Sequence, residues 1–249
     1  WINFAGFSPD GRVVVTAGEE DFRLWDTLTG EELFRRPWPE GLAPRPRWPP
    51  IYSLAFLPNR RALATGMEDG TVLVWDLASA KWPADQPARN LDGLWEDLGG
   101  DARPAQQAVH ALTAAPAQAV PFLGSRLRPV VAADPKRIEQ WIGDLDSDRF
   151  EVREAASRGL SGLGEQAESA LRQVLKGTPS AERRRRVQSL LDRLHAVPPA
   201  PVLRTLRAIR VLEHTHTPEA RRVLAKLATG APTARETREA REALARQTP

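Results

Sequence analysis

Four histidines, His110, His195, His214 and His216, are the side chains of this 249-residue chain that could serve as metal ligands or general bases. A metal centre needs imidazoles at i, i+3 or i+4 spacing on a helix, in the company of carboxylates or thiolates. His214 and His216 are two apart, between threonines, at the end of an apolar-periodic run. There they face the negative end of a helix or solvent rather than a shared ion. The chain has no cysteine, which removes thiolate metal sites and disulfides. Serine chemistry would require a Gly-x-Ser-x-Gly elbow after a strand, and none is present. The segment GLSGLG (159–164) carries neighbouring glycines and a serine, but its spacing is that of a turn between helices. No phosphate-binding loop with its lysine occurs. Carboxylates at 139, 144, 146, 148, 151 and 154 read as solvated turn and helix faces rather than an acid/base pair. The expectation is a non-enzymatic chain with no catalytic residue, no metal and no cofactor.

Charge is the remaining chemical signal. The net charge of +3 conceals a gradient. Residues 1–90 hold 10 basic and 12 acidic side chains, residues 91–170 hold 8 and 13, and residues 171–249 hold 17 and 7. ERRRRV (182–187) supplies Arg183, Arg184, Arg185 and Arg186, and the same basic third holds Arg204, Arg207, Arg210, Arg221 and Arg222. Such a surface suits an acidic partner protein, the chain's own acidic segment at 91–170, nucleic acid, or plain solvent. Arg183 and Arg184 precede Val187 by one helical turn, so their stems can also cover an apolar stripe. No Trp, Tyr or Phe follows Phe150, which leaves the basic third without stacking platforms for bases and disfavours nucleic acid. Trp38 and Trp48 stand in a proline-rich insert, RRPWPEGLAPRPRWPP (35–50). This insert reads either as an extended loop joining two sheets or as a pre-ordered ligand for an aromatic groove. The candidate partner-binding residues are thus Arg183–Arg186, Arg207, Arg210, Arg221, Arg222, Trp38 and Trp48.

The elements that position these residues change character along the chain. FSPDGRVVVTAGEEDFRLWD (7–26) aligns with FLPNRRALATGMEDGTVLVWD (56–76) once one residue is dropped at the second turn. Each copy is an apolar run, a Pro-Asp or Pro-Asn turn, a β-rich run, a tight turn and a strand ending in Trp-Asp. Strands are expected at 2–7, 12–17, 22–25, 31–34, 51–56, 62–65 and 71–75. This pattern resembles the WD-repeat family of β-propellers. The repeat here spans 50 residues from Trp25 to Trp75, against the ~40–45 usual for the family, and the family's Gly-His pair is missing. The resemblance implies that residues 1–80 are about two blades at the closing end of a larger propeller, whose last blade borrows its outer strand from the beginning of the chain. Propellers need about four to eight blades. Residue 1 is Trp rather than Met, and the expectation is at least four more blade-like units before it.

From Leu91 the apolar period becomes helical. Leu91, Leu94, Trp95 and Leu98 set the pattern; Ile138, Trp141, Ile142 and Leu145 repeat it, as do Val187, Leu190, Leu191 and Leu194. Helices are expected at 91–98, 103–115, 120–127, 135–145, 148–163, 166–176, 179–195, 201–214 and 218–229, with a tenth at 233–246. Asp134-Pro135, Thr178-Pro179 and Thr217-Pro218 read as starts, Thr233 with Glu236 as a capping box, and Gly177 and Gly230 as stops. Residues 146–177 resemble a HEAT-type repeat, with VREAA in the first helix and a glycine-marked turn before the second. An irregular helical bundle is the competing arrangement.

The fold class is therefore α+β and multidomain: propeller blades at 1–80, a linker at 81–90 and a HEAT-like helical domain at 91–247. This order is similar to large multidomain bacterial proteins of the planctomycete type. The function implied is a scaffold for protein–protein interaction. The alternatives are a regulatory region of a larger, kinase-like enzyme and nucleic-acid binding by the basic helices. No apolar run approaches the ~20 residues that span a bilayer.

Overall fold

The computed structural model describes residues 2–39, 51–57, 62–67, 69–77, 90–194 and 196–247. The linker at 81–89, Trp48, the proline-rich stretch 44–50 and His195 lie outside these residues. The chain divides into two compact units, Trp1–Ala108 and Val109–Pro249.

The first unit opens with seven strands: β1 (Ile2–Phe7), β2 (Val13–Gly18), β3 (Asp21–Asp26), β4 (Glu32–Pro37), β5 (Ile51–Phe56), β6 (Ala62–Met67) and β7 (Val72–Asp76). They form two antiparallel sheets, ordered β1-β2-β3-β4 and β5-β6-β7. Turn chemistry sets the hairpins. Asp10 Oδ1 accepts from the Arg12 amide at 3.2 Å, and Gly11 supplies a φ of 69°. Asp69 Oδ1 accepts from the Thr71 amide at 2.9 Å, and Gly70 supplies 86°. In both turns the carboxylate replaces a backbone bond and glycine takes the conformation that L side chains resist.

The two sheets repeat one another in register. Trp25 Nε1 donates to Thr16 Oγ1 at 2.8 Å across β3 and β2. Trp75 Nε1 donates to Thr65 Oγ1 at 2.9 Å across β7 and β6. The opposite face of the first sheet carries Val15 and Ala17 beside their partners Leu24 and Phe22, all buried. That face packs on the Trp75 face of the second sheet: the Phe22 ring lies 5.2 Å from Trp75 and 5.6 Å from Trp38, centroid to centroid. Leu33, Ile51, Leu63 and Met67 complete this core.

Two helices follow within the same unit: α1 (Leu91–Asp97), and the start of α2 (Ala102–Ala114). Asn90 caps α1 through its side chain. The amino end of α2 is capped from the sheet: the Ala102 amide donates to Glu31 Oε2 at 2.7 Å, and Arg103 Nη2 to Glu32 Oε1 at 2.5 Å. The compact unit runs on to Ala108: Glu31 and Glu32 hold the amino end of α2 on the β3–β4 hairpin, and Ala102 enters the sheet core.

The second unit contains α3 (Pro116–Arg126), α4 (Pro135–Asp144), α5 (Phe150–Leu163), a 3-10 turn (Gly164–Ala167), α6 (Glu168–Lys176), α7 (Ala181–Leu194), α8 (Ala200–Thr215), α9 (Pro218–Leu227) and α10 (Arg235–Arg246). Helices α4 to α7 close around Ile138, Leu145, Leu160, Leu171, Val187, Leu190 and Leu191. Helices α8, α9 and α10 pack on one another, and α3 packs on α8 and α9.

Asp134 and Thr217 cap α4 and α9 as expected, each accepting a backbone amide within the first turn. Three boundary signals differ from expectation. Ser180 rather than Thr178 caps α7, accepting from the Arg183 amide at 3.1 Å. Thr233 and Glu236 form no capping box: α10 starts after Ala234, without a side-chain cap. Gly230 is not a helix stop. A Cβ there would sit 2.5 Å from Thr237 Oγ1 and 2.9 Å from the Val130 amide nitrogen, so the residue allows a close backbone approach.

Two alanine substitutions should therefore act in opposite directions. Gly230→Ala meets fixed backbone and should cost about 1–3 kcal/mol. Gly162→Ala, with open space around its Cβ position, should gain up to about 1 kcal/mol. Urea denaturation followed by the helical dichroism signal measures both; equal effects would contradict this packing.

Candidate interaction surface on the arginine-rich helix

The arginines of α7 are sorted by the helix period. Val187, Leu190 and Leu191 are buried, which turns Arg183 and Arg186 toward neighbouring helices and leaves Arg184 and Arg185 outward. Arg186 has a side chain 11% exposed; its Nη1 donates to Glu154 Oε1 at 2.7 Å and Ser157 Oγ at 3.1 Å on α5. Its Nε donates to Glu182 Oε1 at 2.6 Å, one turn back on α7. Arg183 pairs with Asp146 Oδ2 at 3.5 Å, and Ser180 Oγ donates to the other carboxylate oxygen at 2.6 Å. Arg185 makes a forked contact with Glu182 at 2.9 and 3.0 Å. Among the described residues, the Arg184 side chain has no such partner, and it is exposed.

The electrostatics follow from these pairs. Hydrogen bonds from Arg185 and then Arg186 lower the Glu182 carboxyl to about 2, against the opposing effect of desolvation. The Arg186 hydrogen bond likewise lowers Glu154. Part of the basic third is thus neutralised by the acidic middle, through Arg183–Asp146, Arg186–Glu154 and Arg238–Glu165.

The remaining candidates fall in different places. Arg221 and Arg222 are exposed on α9, with Arg222 Nη2 3.0 Å from Glu219 Oε1. Arg210 is half-buried on α8. Arg207 is interior, 4% exposed, so it cannot reach a partner without unpacking α8. Trp38 is also interior. Its Nε1 donates to the Gly18 carbonyl at 3.0 Å and its ring packs 5.8 Å from Trp75, making it a core residue rather than a partner-binding one. The surface-accessible set is accordingly Arg184, Arg185, Arg221 and Arg222. Sequence spacing exposes the Glu182–Arg186 pair, which is i, i+4. It gives no signal for Glu154, which meets Arg186 through the packing of α5 on α7.

The first unit adds a groove of about 310 Å³ lined by Phe22, Phe34, Arg36, Leu73, Trp75 and Leu77 among others. The Arg36 guanidinium sits 5.5 Å from the Trp75 ring centroid, closing one side with a cation over an aromatic face. Nearby, burial pushes the Asp21 carboxyl up, but hydrogen bonds from Arg23 and Arg35 outweigh it and hold the group below its usual range. Among the described residues no group of three or more His, Asp or Glu side chains is placed to hold a metal ion, and no helix is long and apolar enough to cross a membrane.

Residues 47–76 match the WD40 family, described as WD domain, G-beta repeat. The match covers β5, β6 and β7, the sheet in which Trp75 bonds Thr65. No curated protein and no solved structure matches the chain. A WD40 repeat therefore lies in the second of two antiparallel sheets, followed by a helical region.

Truncation separates the structural arginines from the free ones. Arg186→Met should cost about 1–2 kcal/mol, the value of charge-assisted bonds to half-exposed carboxylates. Arg184→Ala should change stability by less than about 0.5 kcal/mol. Because the Glu182 pKa is depressed on folding, its contribution is complete above pH 4.5 and lost as pH falls toward about 2. Urea midpoints measured between pH 6 and pH 2.5 should show that loss in the native chain and less of it in Glu182→Gln.

Proposed function

We propose that the chain is a non-catalytic scaffold for protein–protein interaction, built from a section of WD-repeat propeller and a HEAT-like helical region. The observation that carries this reading is the repeat of one stacking face. Val15, Ala17, Phe22 and Leu24 of the first sheet are covered by the second sheet. Their counterparts one repeat later are Ala64, Gly66, Val72 and Val74. Val72 and Val74 are 64% and 62% exposed, and Asp76, next in the same alternation, ends the apolar part of this strand face. A contiguous apolar face of this kind marks a contact surface rather than a solvated one. In the propeller reading, a further sheet of the same kind covers it, and an added outer strand pairs with β7 beside the aromatic groove.

The helical region supports the same role. Its helices pack through neighbour contacts, α4 on α5, α6 on α7, and α8 on α9, as stacked helix pairs do. Such stacks offer long surfaces, and Arg184, Arg185, Arg221 and Arg222 give this one positive charge for an acidic protein partner. Within the proposed organisation, residues 1–80 form the propeller section and 91–247 the helical domain, with the start of α2 held by Glu31 and Glu32.

Cross-linking mass spectrometry on the native protein tests the scaffold. Cross-links to an acidic protein should fall near α7 and α9, and should vanish in a quadruple Arg184, Arg185, Arg221 and Arg222→Ala variant. A native protein that cross-links to no other protein would overturn the proposal. Retention of a duplex DNA probe at 150 mM salt, lost in the same variant, would replace it with nucleic-acid binding.

A further inference from the structure

The last helix, α10, is held differently from its neighbours. Its sequence RETREAREALAR contains one large apolar residue, Leu244, and that residue is half-buried. The side chains it buries are Thr237, Ala240 and Ala243. Thr237 Oγ1 is enclosed without a hydrogen-bond partner among the described residues, so it works against docking. By contrast α8, on which it lies, buries Leu203, Leu206, Ile209, Val211 and Leu212.

What fastens α10 is polar and densest at its carboxyl end. Arg246 Nε donates to Glu213 Oε1 at 2.9 Å and Nη2 to Glu213 Oε2 at 3.2 Å, a fork on a carboxylate that is 2% exposed. The same guanidinium reaches Glu239 at 2.9 Å. Burial alone would lower the Arg246 pKa, but these carboxylates raise it above the ordinary arginine value. Gln247 Nε2 adds a bond to the Glu213 carbonyl at 2.7 Å, and Arg241 Nε one to the Ala228 carbonyl at 3.0 Å. Arg238 pairs with Glu165 on the 3-10 turn.

A buried ion pair recovers little more than the desolvation it demands, and that cost is refunded when the partners separate into water. On the α10 side the apolar contact is two alanines and a half-buried Leu244, so α10 itself brings little apolar area to oppose separation. We infer that α10 is a latch: it lifts from α8 and α9 as one unit, below global unfolding, while α8 and α9 remain folded. Glu213 is the catch and Arg246 the hook. Lifting uncovers the face of α8 and α9 on which α10 rests, so a change in ionic conditions or the removal of one guanidinium switches that face from closed to open.

Hydrogen exchange on the full chain, read by mass spectrometry, tests the latch. Amides of residues 235–246 should exchange at least tenfold faster than those of 200–215. Raising salt from 50 to 500 mM should quicken residues 235–246 at least threefold and leave 200–215 unchanged. Arg246→Met should quicken 235–246 a further tenfold, again without change in 200–215. The proposal is overturned if the two segments exchange together, if they respond to salt together, or if Arg246→Met fails to fold, since each makes α10 an integral part of the bundle.

Discussion

A sheet with apolar side chains on both faces must be covered on both, and that constraint organises the first unit. The Phe22 contact with Trp75 and Trp38 is where it is met. One face of the first sheet disappears into this aromatic core, and the second sheet gives up its own tryptophan face to cover it. The bonds from Trp25 to Thr16 and from Trp75 to Thr65 keep the two sheets in the same internal register. The face bearing Val72 and Val74 is the counterpart, one repeat later, of the covered face bearing Phe22 and Leu24. Its exposed side chains in β7 are Val72 and Val74, with Asp76 at the end of the strand.

The helical unit solves a different problem. Its helices are rich in alanine and arginine, so large side chains are few and apolar burial per helix is modest. Arginine compensates by crossing between elements: Arg186 joins α7 to α5, Arg183 joins α7 to the turn before α5, and Arg246 joins α10 to α8. Each pair fixes which helix faces which, more than it deepens the energy minimum. The basic excess of the last third is therefore partly an internal fastening, and its outward remainder is the smaller set on α7 and α9.

Much of this organisation was legible in the sequence, for physical reasons that differ by element. The strands followed from alternation and from Asp10-Gly11 and Asp69-Gly70, because turn chemistry is local. The helices followed from their apolar period for the same reason. What escaped depended on tertiary neighbours. Ser180 displaced Thr178 as a cap because it also bonds Asp146, far away in sequence. Gly230 read as a stop signal because the crossing of Val130 beside it leaves no local trace. Trp38 read as a candidate partner-binding residue because it stands in a proline-rich insert, yet just past β4 it packs into the core. Arg207 read as surface charge because its burial is decided by the packing of α8. Glu31 and Glu32, which hold α2, were not singled out: a helix cap supplied from 71 residues earlier has no signature in spacing.

The absence of cysteine from the chain makes one measurement direct. Val74→Cys in the native protein places an added thiol on the repeated stacking face, and its maleimide labelling rate, read on the peptide that carries residue 74, reports cover. The rate should be at least a hundredfold below that of the same protein in denaturant, while Val131→Cys, at a position 85% exposed, labels within about tenfold of it. Labelling of Val74→Cys as fast as Val131→Cys would mean that the face is open to water, and the stacking account would fail.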